Sequence, residues 1–258
     1  IYTLSLHDAL PIYQPVPLVV AVASACAAAV AGPASRFARD YVAGLVAGAE
    51  PAGDASTEDG PTPAVRRRGL LGAGPQAALA APACATTALW ALVHHRWADG
   101  LIAVPVVALL VVAGSVDAVC HRLPNRLLGA AAAWLGAALV VRAAVGLAAG
   151  AAARACAPPA RAVLCALGIG GAALILALLP SGLGMGDVKL CALIGLWLGP
   201  LGWDVALSGS LAGVILAGMS ALVLMAARVV GRRQMIAMGP HLITGAWLAW
   251  ILAVRAGA

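Results

Sequence analysis

The chain has 258 residues, 63% hydrophobic and 10% charged, with a formal net charge of +6. Its mean hydropathy is +0.98, whereas soluble domains carry about a quarter charged residues. A soluble domain is thereby excluded, and the expectation is an all-α polytopic membrane protein in contact with the lipid bilayer, with no nucleic-acid partner.

Residues 1–12 contain no Met and depart from the Ala/Gly/Val/Arg style of everything that follows. From Tyr2 onward they resemble the translation of a sequencing-library adapter, so they are expected to be non-native; a genuine short polar terminus is the alternative. His7 and Asp8 are set aside with them. Residues 13–34 hold a first transmembrane helix, whose apolar run 16–34 is interrupted by Pro33.

Residues 35–68 read as a cytoplasmic loop, with Glu50, Asp54, Glu58 and Asp59 among Gly, Pro, Ser and Thr. A low-complexity linker is preferred there over a short amphipathic piece, 36–46, lying on the membrane surface. Residues 69–100 supply a second transmembrane helix, 77–93, and an outer turn. Residues 101–258 form a six-helix core from the apolar runs 101–119, 127–145, 163–179, 188–201, 205–230 and 238–254, about eight transmembrane helices in all. The run 188–201 is short and contains Gly195 and Gly199, which suggests a tilted or partly interfacial helix.

Six cysteines at 26, 84, 120, 156, 165 and 191 form no C-x-x-C pair and read as small hydrophobes. No metal and no cofactor is expected. Of the 16 basic residues, Arg36, Arg39, Arg66, Arg67, Arg68, Arg122, Arg126, Lys189, Arg228, Arg232 and Arg233 fall on one side if 35–68 is cytoplasmic. The other five, Arg96, Arg142, Arg154, Arg161 and Arg255, fall outside, an arrangement that obeys the positive-inside rule.

Within this frame, Gly182, Gly184 and Gly186 alternate just before Asp187 and between two apolar runs. A carboxylate so placed is costly and marks a functional site, and irregular backbone is tolerated there only against protein or a wet cavity. The expectation is an open, non-helical 182–186 stretch that receives an extended chain by strand addition. A side chain at Gly184 or Gly186 should obstruct it, while Gly195→Ala should do little.

Asp117 follows the run 101–116, which spans roughly 24 Å, less than the roughly 30 Å hydrocarbon core. That puts Asp117 just inside one face, the same cytoplasmic face as Asp187. Brought together, two such acids share a proton, one polarising a carbonyl while the other activates water. Asp99 and Asp204 read as helix caps or solvated ends in outer turns. Lys189 reads equally as an interfacial anchor and as a tuner of the neighbouring acid, and His121 and Arg122 as interfacial basic residues. Pro124-Asn125 fits a turn and helix N-cap, and His241 a satisfied polar residue.

The segment Gly182-Leu-Gly-Met-Gly-Asp187-Val-Lys-Leu, with Asp117-x₆-Pro124-Asn125 upstream, resembles the type IV prepilin peptidase family of membrane aspartic proteases. Met238-Gly-Pro-His-Leu242 is similar to the signature before that family's final span. The resemblance, over about 101–254, implies catalytic roles for Asp117 and Asp187. It also implies cleavage of the short basic leader of a prepilin or pseudopilin substrate, at the cytoplasmic face of the inner (plasma) membrane. Gly182, Gly184, Gly186 and Lys189 are the candidate substrate-binding residues beside the acids. Bifunctional members carry paired C-x-x-C motifs in a cytoplasmic loop; residues 35–68 contain no cysteine, so only the peptidase activity is carried over, without methyl transfer. A catalytically decayed member, a membrane scaffold and a small-solute transporter are the competing readings.

Overall fold

The computed structural model describes residues 15–47, 68–179, 183–228 and 237–257. Among them there is no strand, and the helices run α1 (Val16–Ala29), α2 (Ser35–Ala47), α3 (Ala73–Val93), α4 (Trp97–Cys120), α5 (Asn125–Ala148), α6 (Ala152–Leu178), α7 (Met185–Leu198), α8 (Trp203–Ala226) and α9 (Gly239–Ala256). The leader 1–12 lies outside the described residues, as do Glu50, Asp54, Glu58, Asp59 and Gly182.

Among the described residues six helices are long and apolar enough to cross a membrane: the continuous Val16–Ala47, then Ala73–Val93, Trp97–Cys120, Asn125–Ala148, Ala155–Leu178 and Trp203–Ala226. This is the pattern of a membrane protein. Large apolar side chains face outward around the perimeter, among them Val140, Leu167, Leu178 and Leu222, where lipid rather than water suits them. The 14-residue α7 and the 18-residue α9 are not among the six, so the expected count of eight is not reached by length and apolarity. At about 1.5 Å per residue, α7 is roughly 21 Å long, and most of its residues are buried against other helices.

The expected loop beginning at Ser35 is corrected over its first part. Val16–Ala29 passes through a π-helical turn, Val30–Ala34, directly into α2. Pro33 offers no N–H to the helical ladder and forces the wider turn. Ser35 Oγ then donates to the carbonyls of Ala31 at 2.8 Å and Gly32 at 2.9 Å, so the distorted turn keeps partners. In α2, Ala38 and Val42 are buried, while Arg39 donates to Leu71 O at 3.3 Å and ties the helix end to the turn before α3. The α6 helix also starts earlier than its apolar run: Pro158 and Pro159, its seventh and eighth residues, lie inside the helix rather than ending it.

Two helices occupy the centre. α4 is buried along most of its length, and α7 buries Val188, Leu190, Cys191, Leu193, Ile194, Trp197 and Leu198. Leu110 of α4, Leu190, Ile194 and Leu198 of α7, and Leu242 and Trp250 of α9 are among the large side chains hidden at the core. Small residues allow the backbones to close, as membrane helices require without a hydrophobic drive between them. A Cβ on Gly195 would stand 2.6 Å from the carbonyl oxygen of Cys165 on α6. One on Gly245 of α9 would strike the Gly213 backbone of α8. The expectation that Gly195→Ala is nearly silent is therefore revised, because that position is a backbone-to-backbone contact.

The chain alternates direction, so one end of the bundle gathers the C-terminus of α4 and the N-termini of α5, α7 and α9. The opposite end carries Asp99, Arg142, Arg161 and Pro200. There Asp99 is buried, with Arg96 Nε and Arg142 Nη1 each 2.6 Å from its oxygens. This replaces the expected solvated end with an ion triad joining α4 to α5. Asp204, in the first turn of α8, is exposed as expected.

Candidate active site

Asp117 sits in the last turn of α4, 5% exposed. The turn is closed by the N–H of His121 donating 2.8 Å to the Asp117 carbonyl. His121 has φ 53°, the left-handed cap usually taken by Gly or Asn, and it is exposed on the chain reversal toward α5. Burial of the Asp117 carboxylate is matched by a donor from far away in sequence: the N–H of Gly239, at the start of α9, reaches its Oδ2 at 2.9 Å. A Cβ at 239 would stand 2.7 Å from that oxygen, so only glycine lets the α9 backbone come this close without displacement.

Asp187 occupies the first turn of α7. Gly184 is the N-cap, extended at φ −83° and ψ 154°, and its N–H donates 3.2 Å to Asp187 Oδ2. A carboxylate at this position also meets the positive end of the helix dipole. Asp187 is half-buried. Burial pushes its carboxyl above the usual carboxylate range, and the hydrogen bond from Gly184 works in the opposite direction.

The glycine stretch differs in part from expectation. Gly182 lies outside the described residues. Leu183 and Gly184 are non-helical, but Gly186 already belongs to α7, and neither Gly184 nor Gly186 has positive φ. What Gly186 provides is proximity: a Cβ there would lie 3.2 Å from Leu123 Cβ. The first turn of α7 is thus laid against the chain reversal that follows Asp117, and the two acids come within electrostatic range of each other, with the rings of His121 and His241 in range of Asp117 too. Among the described residues, hydrogen bonds occupy Oδ2 of each acid and none reaches either Oδ1.

Three further contacts complete this end. Pro124, not Asn125, is the N-cap of α5, and it makes no side-chain cap bond. Asn125 is the first helical residue, and its Oδ1 accepts from Lys189 Nζ at 2.9 Å. His241 is satisfied as expected, Nδ1 with Ala237 O at 3.0 Å and Nε2 with Ser220 Oγ at 2.8 Å. A cleft of about 250 Å³ opens beside the Asp117 turn, lined by Gly114, Ser115 and Ala118 of α4 and by Pro240, Ile243 and Thr244 of α9. A larger cavity of about 700 Å³ lies between α2 and the start of α5, lined by Phe37, Asp40, Tyr41, Pro124 and Arg126.

Leu123, Gly239 as a donor and the Asn125–Lys189 bond are site features that sequence reasoning did not assign. The Gly-Pro pair at 239–240 is the only signal that pointed toward α9. No family model matches the chain, and no curated protein or solved structure matches it.

Proposed function

We propose that this chain is an aspartic endopeptidase of the type IV prepilin peptidase kind. In this reading it cleaves the short basic leader of a pilin-like precursor just ahead of that precursor's apolar helix, at the cytoplasmic face of the membrane. The observation that carries the reading is the convergence of Asp117 and Asp187, from two central helices, to electrostatic range at one end of an apolar bundle. Neighbouring acids resist double ionisation and hold one proton between them. The protonated carboxyl donates to the scissile carbonyl while the carboxylate takes a proton from water, which attacks the carbonyl carbon. Collapse of the tetrahedral adduct then returns a proton to the departing amine.

Among the described residues each acid has one backbone donor, on Oδ2, and no hydrogen bond to Oδ1. That division suits the chemistry, because Oδ2 is held in place while Oδ1 stays open to water and substrate. The non-helical backbone at Leu183 and Gly184 lies next to Asp187, where an unwound substrate segment can align as an added strand. The six long apolar helices, with the shorter α7 and α9 packed among them, fit the same reading. Its test is incubation of the purified full chain with a precursor bearing a basic leader and an apolar helix, with products identified by mass spectrometry. A single cut at the leader–helix junction is expected. An intact precursor would favour a decayed or purely structural protein.

A further inference from the structure

Lys189 follows Asp187 by two residues on α7, about 200° around a helix of 3.6 residues per turn. It therefore leaves on the face turned away from the acid pair. On that face lies a cleft of about 530 Å³ between α5, α6 and α7, with Gly129, Ala132, Ala166, Ala192 and Leu196 in its walls. Its polar end is formed by Lys189 and Asn125, joined at 2.9 Å. From Asn125 to Ala132, and from Lys189 to Leu196, the walls continue for roughly 10 Å along each helix. They become wholly apolar away from the end that holds the acids.

Charge and shape set the occupant. Among the described residues the ion pairs are Arg96–Asp99 and Arg142–Asp99, so the Lys189 ammonium faces no carboxylate and donates only to a neutral amide oxygen. The cleft lies on the outward-facing perimeter, where Val163, Leu164 and Leu167 of α6 are exposed. A peptide helix about 10 Å across would occupy roughly 800 Å³ over that length, more than the cleft holds, whereas a single hydrocarbon chain is narrow enough.

We propose that this cleft binds an anionic phospholipid, its phosphate on Lys189 Nζ and the Asn125 amide N–H and one acyl chain in the slot beside Gly129 and Ala192. Basic groups between membrane helices at the cytoplasmic side are suited to such head groups. The site does not depend on the peptidase reading, since it involves neither acid.

The experiment is native mass spectrometry of the full chain in detergent, with phosphatidylglycerol and phosphatidylcholine of identical acyl chains. Preferential retention of phosphatidylglycerol is expected. Lys189→Gln should weaken phosphatidylglycerol retention roughly fivefold, the effect of one basic charge near an anionic surface, and leave phosphatidylcholine retention unchanged. Gly129→Leu should reduce retention of both lipids by filling the slot; a Cβ there meets nothing within 4 Å, so the variant folds, as circular dichroism will verify. Equal retention of the two lipids by the parent protein, or no change in either variant, overturns the proposal. So does displacement of bound lipid by a soluble apolar helical peptide or by inorganic phosphate alone.

Discussion

The backbone N–H of Gly239 donates 2.9 Å to Oδ2 of Asp117, and a side chain at 239 would begin 2.7 Å from that same oxygen. The acid on α4 is therefore positioned by the first residue of the last helix. Gly239→Ala must push α9 or the carboxylate aside, and misplacement on the ångström scale costs on the order of a hundredfold in rate. The expected result is a loss of that size in kcat/KM with membrane insertion intact. Gly218→Ala on α8, where a Cβ meets nothing within 4 Å, should leave the rate unchanged. Equal rates for the two variants would show that the bond to Gly239 does not position the acid.

Gly184 and Gly186 make separable predictions. A Cβ at 184 meets Asp187 Oδ2 at 3.4 Å and Gly186 N at 3.9 Å, ordinary contacts, so Gly184→Val is expected to fold and insert yet lose cleavage by obstructing the extended substrate. Gly186→Val must first displace Leu123, 3.2 Å away, and Leu123→Ala in the same chain should restore part of its rate. Wild-type cleavage by Gly184→Val would remove strand addition from the account.

How much of this was readable beforehand depended on whether a feature is local. Apolar runs mark the long helices because span length needs no partner, and the Gly-rich approach to Asp187 marks an unusual site because it breaks such a run. Pro33 misled, since proline usually ends a helix and the π turn with its Ser35 bonds cannot be read from spacing. Asn125 was placed one position off as a cap because its side chain is used by Lys189, 64 residues later. Gly195 suggested a tilted or partly interfacial helix that would tolerate Ala, and is a contact with the Cys165 carbonyl. For Asn125 and Gly195 a long-range partner decided the outcome. Gly195→Ala should accordingly lower stability by about 1–3 kcal/mol through overpacking, measured by thermal unfolding in detergent.

The triad of Asp99, Arg96 and Arg142 makes a prediction at the opposite end. Asp99→Asn removes the charge to which both arginines donate at 2.6 Å. Arg142 is substantially exposed, so the cost is moderated by solvent and should be about 1–3 kcal/mol. Thermal stability falls while cleavage at a permissive temperature stays at the parent rate. A large loss of rate at unchanged stability would assign Asp99 a role in the chemistry.

Burial raises the Asp187 carboxyl, so its protonated form persists to higher pH than in a free carboxylate, for which the midpoint is about 3.9. The shared proton is present below the upper macroscopic pKa of the pair and is lost above it. The kcat/KM profile should be bell-shaped, falling on its alkaline side at a pH above the free-carboxylate value. An alkaline limb at the free-carboxylate value would contradict a shared proton held by burial.

The most direct measurement replaces each acid by its neutral isostere. Asp117→Asn and Asp187→Asn each keep side-chain size and the capacity to accept from Gly239 or Gly184, while removing one half of the proton-sharing pair. Both variants are expected to insert, to melt within a few degrees of the parent and to leave a leader-bearing precursor uncut, while Asp204→Asn cleaves at the parent rate. Retained processing by either dyad variant would contradict the assignment of Asp117 and Asp187 as the reacting acids.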